Sequence, residues 1–217
     1  HFKTGSDCEV ILHAYAQYGD DFLRHVDGMF GFALWDRARK KLMIARDRVG
    51  IKPLYYYCDG RWLAFASELK ALLDLPFVKR ELDPSALNEY VSLGYVPAPK
   101  TMFQRIFKLP PATMMTVQQG QMKLERYWSL PEGLDQSLSL DVWAESVHAG
   151  IDSAVRAQLV SDVPLGAFLS GGIDSSAVVA AMAEHSAQPV RTYSIGFAGS
   201  TGADFYNELP YAQQVAE

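Results

Sequence analysis

One stretch narrows the choice of fold more than any other: Pro164-Leu165-Gly166-Ala167-Phe168-Leu169-Ser170-Gly171-Gly172-Ile173-Asp174-Ser175-Ser176. Leu165 to Leu169 is a short apolar run free of charge, as expected of a strand covered on both faces of a parallel sheet. Gly171 and Gly172 permit a tight turn and leave the backbone without Cβ atoms, so a ligand can approach closely. Asp174, Ser175 and Ser176 then open a helix continued by Ala177 to Met182. A helix start presents free N–H groups and a partial positive charge, which suit phosphate. Strand, glycine turn and helix together point to an anion site of the kind a nucleotide occupies. Each part has a plainer explanation, since Gly-Gly can be a mere connection and Ser or Asp an ordinary helix cap. Neither accounts for the whole of Ser170 to Ser176.

The stretch lacks the Gly-Lys-Ser/Thr ending of a Walker loop and does not fit the Gly-x-Gly-x-x-Gly dinucleotide pattern. It does resemble the Ser-Gly-Gly-x-Asp-Ser signature of the PP-loop ATP pyrophosphatases. The resemblance implies a loop that holds the pyrophosphate of ATP while a substrate is adenylated.

A chain of 217 residues with 49% hydrophobic content can bury a core and build one large or two small domains. With a formal net charge of -5 and no Lys/Arg block, nothing favours a nucleic-acid groove as the main partner. No apolar stretch is long enough for a bilayer and the start does not read as a signal peptide, so no membrane partner and a cytoplasmic location are expected. Cys8 and Cys58 are far apart and lack metal-ligand spacing, which argues against a disulfide scaffold or a zinc site. The chain starts at His1 rather than Met and stops at Glu217 in a helix-like run, as a piece of a longer protein would.

Ser6-Asp7-Cys8-Glu9 has the form of a capping box ahead of a helix over residues 7–18. Asp7 in that position can simply favour the helix N-terminus electrostatically. Gly28 to Trp35 reads as a strand, and Leu42 to Ala45 returns as its partner. Pro53 to Tyr57 and Trp62 to Ala66 flank Asp59-Gly60, a strong hairpin signal. Ser67-Glu68 and Asp83-Pro84 start two short helices, the second stopped by Gly94 to Pro99. Thr113 to Val117 and Lys123 to Trp128 form another hairpin about Gln119-Gly120. From Ser129 to Ser139 the chain is polar, with Pro131 and Gly133, and reads as a linker. Asp141 then caps a long helix that carries Trp143, Val147, Ile151, Ala154, Val155 and Leu159 on one side. Val190 to Phe197 is a second strand after the glycine loop and its helix, giving a right-handed βαβ unit. Its ligand should sit beyond the carboxyl ends of the strands, at Leu169-Ser170 and Ile195-Gly196. Ala203 to Tyr206 reads as a loop and Pro210 to Glu217 as the start of a helix.

Several stretches, in order, resemble the glutamine-hydrolysing asparagine synthetases. They are Ser6 to Ile11, Gly28 to Asp36, Arg46-Asp47-Arg48-Val49-Gly50-Ile51-Lys52-Pro53-Leu54-Tyr55, Phe65 to Leu72, Gly94 to Pro99, Lys108 to Pro111 and the glycine loop. The resemblance implies an α+β N-terminal-nucleophile hydrolase part, a four-layer αββα sandwich, followed by an α/β PP-loop ATP pyrophosphatase part with a parallel sheet. On this chain, residues 1–130 would belong to the class II glutamine amidotransferase domain, 131–140 to a linker and 141–217 to the PP-loop synthetase domain. The implied reaction is amidation of aspartate to asparagine, with ammonia from glutamine and an aspartyl-adenylate made from ATP and Mg2+, releasing AMP and pyrophosphate. A homodimer is compatible with it.

Carried over residue by residue, Asp7 would bind the α-amino group of glutamine. Leu169 and Ile195 would line the adenine-nucleotide site, although as isolated apolar residues they also fit sheet core. Ser170, Gly171, Gly172, Ser175 and Ser176 would hold the β- and γ-phosphates, and Asp174 would be the Mg2+ ligand. Lys52 and Arg48 receive no role. The family's nucleophile, an N-terminal cysteine whose amino group serves as base, has no counterpart at His1, and Cys8 is no substitute. Its upstream glutamine-pocket segments and its later ATP and aspartate segments are absent too, so this chain alone is expected to be inactive. Alternatives are a related amidotransferase acting on another carboxylate, in sugar or surface-polymer assembly, and a β-lactam-synthetase-like ligase without glutaminase activity. A non-enzymatic relative would show a damaged glycine loop, and PP-loop enzymes acting on tRNA lack the amidotransferase half.

Overall fold

The computed structural model describes residues 1–133, 137–196 and 207–217. They divide into two units, 1–132 and 133–217. In the first, α1 (Cys8–Tyr18) runs into a 3-10 turn over Gly19–His25. The strands that follow are β1 (Gly31–Asp36), β2 (Lys41–Arg46), β3 (Tyr55–Cys58), β4 (Leu63–Ala66), β5 (Ile106–Lys108), β6 (Thr113–Gln118) and β7 (Gln121–Arg126). The helices α2 (Leu69–Leu73) and α3 (Pro84–Leu93) stand between β4 and β5. One antiparallel sheet has the order β1-β2-β6-β7 and the other β4-β3-β5.

Alternation of side chains along β2 and β3 sets the layers. Met43 and Ala45 pack with Phe22 and Leu23 of the 3-10 turn and with Ile11, Ala14 and Tyr15 of α1. Leu42 and Ile44 face the other way and meet Tyr56, Leu63 and Phe107 of the second sheet. On the far side of β3, Tyr55 and Tyr57 pack with Leu69, Leu72 and Leu73 of α2. The order is helix, sheet, sheet, helix, the layering that the amidotransferase resemblance implies.

The second unit contains α4 (Leu140–Gln158), β8 (Gly166–Phe168), α5 (Ile173–His185), β9 (Arg191–Tyr193) and α6 (Leu209–Ala216). β8 and β9 run parallel, with Gly166 opposite Arg191 and Phe168 opposite Tyr193, and α5 connects them. Leu169, Val179 and Ala212 form a small buried cluster with Ala167 against it.

Several expectations need correction. Among the described residues β8 has one neighbour, β9, and Phe168 is 78% exposed. A two-stranded sheet does not cover this strand on both faces. α4 is capped by Ser139, whose Oγ accepts from Val142 N–H at 3.4 Å, whereas Asp141 already stands in the first turn. Ser139 lies three residues before the N–H it serves, the reach of an N-cap side chain. α5 begins at Ile173, with Gly172 as a cap residue that offers no side chain. Gly28 to Phe30 precede β1 rather than belonging to it, and β5 is a strand not foreseen. Residues 134–136 of the linker, Phe197 and the Ala203 to Tyr206 loop lie outside the described residues. No helix among the described residues is long and apolar enough to cross a membrane.

Candidate functional site

The first unit holds a cavity of about 570 Å³, to which Asp7, Gly28, Met29, Lys52 and Ser67 contribute. Its size is that of a small-molecule pocket. Asp7 reaches it with its carboxylate unengaged, because its neighbours do the local work. Ser6 Oγ accepts from Cys8 N–H at 3.3 Å, while Asp7 makes no side-chain cap hydrogen bond. Glu9 accepts from the N–H groups of Lys3 and Thr4, each at 2.7 Å, and from the Thr4 hydroxyl at 2.6 Å. The Thr4 hydroxyl first, and then the Lys3 N–H, pull the Glu9 pKa from 4.5 to about 2. A regular capping box would turn Glu9 back onto Ser6 N–H. Here that N–H donates to Thr4 Oγ1 at 3.2 Å, and Glu9 reaches beyond it.

Lys52 and Pro53 arrive at the cavity on a loop fixed from inside. The Arg46 guanidinium donates to the carbonyls of Lys52 and Leu109 at 2.8 Å and of Gly50 at 2.6 Å. Asp47 is buried, and its carboxylate accepts from Ile51 N–H at 2.8 Å and Lys52 N–H at 2.9 Å. Burial alone would push its pKa up, but the N–H groups around it outweigh that and hold it below the usual carboxylate range. Gly50 turns the loop at φ +72°, where a Cβ would stand 2.9 Å from Pro111 Cγ.

The glycine loop of the second unit is built from hydroxyls and bare backbone. Ser170 Oγ and Ser175 Oγ are 2.9 Å apart, Gly172 N–H donates to Ser170 Oγ at 3.2 Å, and Ser175 Oγ donates to Gly172 C=O at 3.2 Å. The first backbone bond of α5 joins Ser176 N–H to Gly172 C=O at 3.0 Å, so the N–H groups of Ile173, Asp174 and Ser175 are the helix's free donors. Ser176 Oγ is buried and has no hydrogen-bond partner. Gly171 has φ +82°, and a Cβ there would stand 2.5 Å from the Tyr211 backbone in α6.

Leu169 and Ile195 stand just beyond the carboxyl ends of β8 and β9. Leu169 is buried against Val179 and Ala212, whereas Ile195 is 71% exposed. Ser194 Oγ donates to Leu169 C=O at 2.6 Å and ties the two strand ends together. Asp174 is exposed in the first turn of α5. Among the described residues no group of three or more His, Cys, Asp or Glu could hold a metal ion. Asp174 offers one exposed carboxylate, a hard oxygen donor of the kind magnesium takes alongside phosphate and water.

Sequence reasoning singled out Asp7 and the Ser170 to Ser176 loop as candidates but gave no role to Gly28, Met29, Lys52 and Ser67, which share the cavity with Asp7. The signal for them was present. They lie in three of the other stretches that carried the resemblance, and those stretches converge on one cavity.

Comparison with known proteins bears on both units. Residues 1–128 match the glutamine amidotransferase domain family, and residues 146–217 match the asparagine synthase family. Asparagine synthetase [glutamine-hydrolyzing] 3 of Bacillus subtilis is 40% identical over 201 residues, which is 90% of this chain and 33% of that protein. Asparagine synthetase [glutamine-hydrolyzing] 1 of the same organism is 36% identical over 197 residues, 90% of this chain and 31% of that protein. The chain thus spans about a third of the length of these curated relatives. With an amidotransferase match over most of the first unit and a synthase match behind it, the chain belongs to the glutamine-hydrolysing asparagine synthetase family.

Proposed function

We propose that the protein carrying this chain makes asparagine from aspartate, glutamine and ATP. An oxygen of the aspartate side-chain carboxylate attacks the α-phosphorus of ATP and displaces pyrophosphate. Ammonia, released from glutamine, then adds to the acyl carbon, AMP leaves, and a proton is lost to give the amide. In this reading the amidotransferase part runs to residue 130 and the synthetase part begins at 141, joined by 131–140. The Asp7 carboxylate takes the α-ammonium of glutamine. Ser170, Gly171, Gly172, Ser175 and Ser176 hold the β- and γ-phosphates, and Leu169 and Ile195 flank the nucleotide. Asp174 would hold Mg2+, which when bound neutralises charge on the phosphates. ATP and free amino acids are cytoplasmic substrates, and the cytoplasm is the proposed location.

The observation that carries this reading is the orphaned Ser176 hydroxyl at the head of α5. A buried hydroxyl without a partner costs about 1–3 kcal/mol, and a phosphate oxygen beside the free N–H groups would supply the missing bond. The test is a product assay on the full-length protein with ATP, glutamine and aspartate. AMP, pyrophosphate and asparagine should appear in equal amounts, and ADP in place of AMP would sink the assignment. Asp174→Ala should abolish AMP formation and leave glutamine hydrolysis, whereas unchanged AMP release would remove Asp174 from the magnesium site.

A further inference from the structure

The segment from Lys3 to Val10 folds a set of its polar groups back onto itself. Thr4 is the hub. Its N–H and hydroxyl both go to Glu9, and its Oγ1 also accepts from Ser6 N–H. Ser6 C=O accepts from Glu9 N–H at 3.2 Å, and Asp7 C=O accepts from Val10 N–H at 3.0 Å. The Glu9 side chain is only 14% exposed, and its Oε1 also lies 3.3 Å from His13 Nε2. Of the two carboxylates in this segment, Asp7's is the one left without a partner, and Asp7 lines the cavity.

Two carboxylates so close along the chain could both compete for a cationic substrate group. They do not, because three short hydrogen bonds occupy one of them and none occupies the other. The bonds also close a ring of chain from Thr4 to Glu9 with Asp7 inside it. A ring tied at both ends leaves Asp7 one backbone setting, whereas an untied one would let it sample several.

We infer that Glu9 is a positioning residue for glutamine: it clamps Lys3 and Thr4 onto the first turn of α1 and so holds Asp7 in the setting that meets the substrate's α-ammonium. The inference rests on the proposed role of Asp7. Glu9 itself touches no substrate, and its negative charge is stabilised by the Thr4 hydroxyl and the two N–H groups.

Glutamine-dependent and ammonia-dependent synthesis by the full-length protein separate this role from a general structural one. Glu9→Ala should raise the KM for glutamine about tenfold, short of the roughly hundredfold cost of a full 1 Å misplacement, with ammonia-dependent kcat and KM unchanged. Thr4→Val keeps the shape and removes one donor, and it should raise the same KM by a smaller factor. Glu9→Gln retains an acceptor oxygen and should recover part of the loss. The inference is overturned if Glu9→Ala and Thr4→Val leave the glutamine KM unchanged while Asp7→Asn raises it, or if they depress both nitrogen sources equally. If Asp7→Asn leaves the glutamine KM unchanged, the glutamine role of Asp7 falls first and the inference with it.

Discussion

Met43 and Met182 are the same side chain in two settings. Met43, on β2, is 0% exposed and is packed between the first sheet and the helix that covers it. Met182, on α5, is 9% exposed and lines a cavity of about 570 Å³ in the second unit. The difference runs through both units. Among the described residues, hydrophobic side chains exposed by less than 2% all lie in residues 1–132. There, two sheets and two helical layers give each inner residue neighbours on opposite sides. Among the described residues of 133–217 the sheet has two strands, and Phe168, Ile173 and Ile195 beside it are largely exposed.

Truncating both methionines is the strongest challenge to that contrast. Met43→Ala should lower the stability of the first unit by about 2–5 kcal/mol, since both transfer and cavity costs apply. Met182→Ala should cost about 1–2 kcal/mol, because Met182 already borders an open cavity and the transfer cost dominates. Hydrogen exchange, read separately on peptides from each unit, measures both, and equal losses would break the comparison. Gly50→Ala and Gly171→Ala come next, each forcing a side chain into positive φ at about 1–2 kcal/mol. The first meets the Pro111 ring and the Arg46 guanidinium, which is itself held by three carbonyls, and the second meets the Tyr211 backbone. Thermal melting should show a modest loss for Gly50→Ala, while Gly171→Ala should also remove AMP formation. Full AMP formation by Gly171→Ala would show that the loop tolerates a different course.

The smallest effect is the one set by pH. Glu9 is at about 2 when folded, against 4.5 when free, so it stabilises the first unit fully above pH 4.5. That contribution drains away as the pH falls from 4.5 through about 2. Acid titration followed by near-ultraviolet circular dichroism should show the wild type losing stability across this window. Glu9→Gln should show a shallower slope, and identical slopes would deny Glu9 a part in it.

Local chemistry made much of the fold readable. Asp83 and Pro84 announce α3, and Asp83 Oδ1 does accept from the N–H groups of Ser85 at 2.9 Å and Ala86 at 3.3 Å. Asp59-Gly60 turns β3 into β4, with Asp59 Oδ1 accepting from Arg61 N–H at 2.9 Å and Trp62 N–H at 2.7 Å. What escaped reading depends on partners far along the chain. β5 is three residues long and exists because Tyr55 to Tyr57 pair with it. The exposure of Phe168 could not be read from its own apolar run, since it reflects the number of neighbouring strands. Asp7 was legible as a motif residue, but its freedom was not, because that depends on Ser6 and Glu9 taking the local donors.

The close approach of Gly171 to the Tyr211 backbone has a consequence for the order in which the protein takes shape. The Ser-Gly-Gly-Ile-Asp-Ser-Ser segment leaves the ribosome well before Tyr211 does. The helix that starts at Ile173 is 13 residues long and has no side-chain cap, a length that is marginal in isolation, and Ala212 belongs to the small cluster that buries Leu169 and Val179. The loop therefore gains its final form only once α6 arrives. A nascent chain halted between the two would carry every residue of the phosphate motif and still lack the wall against which the loop is shaped.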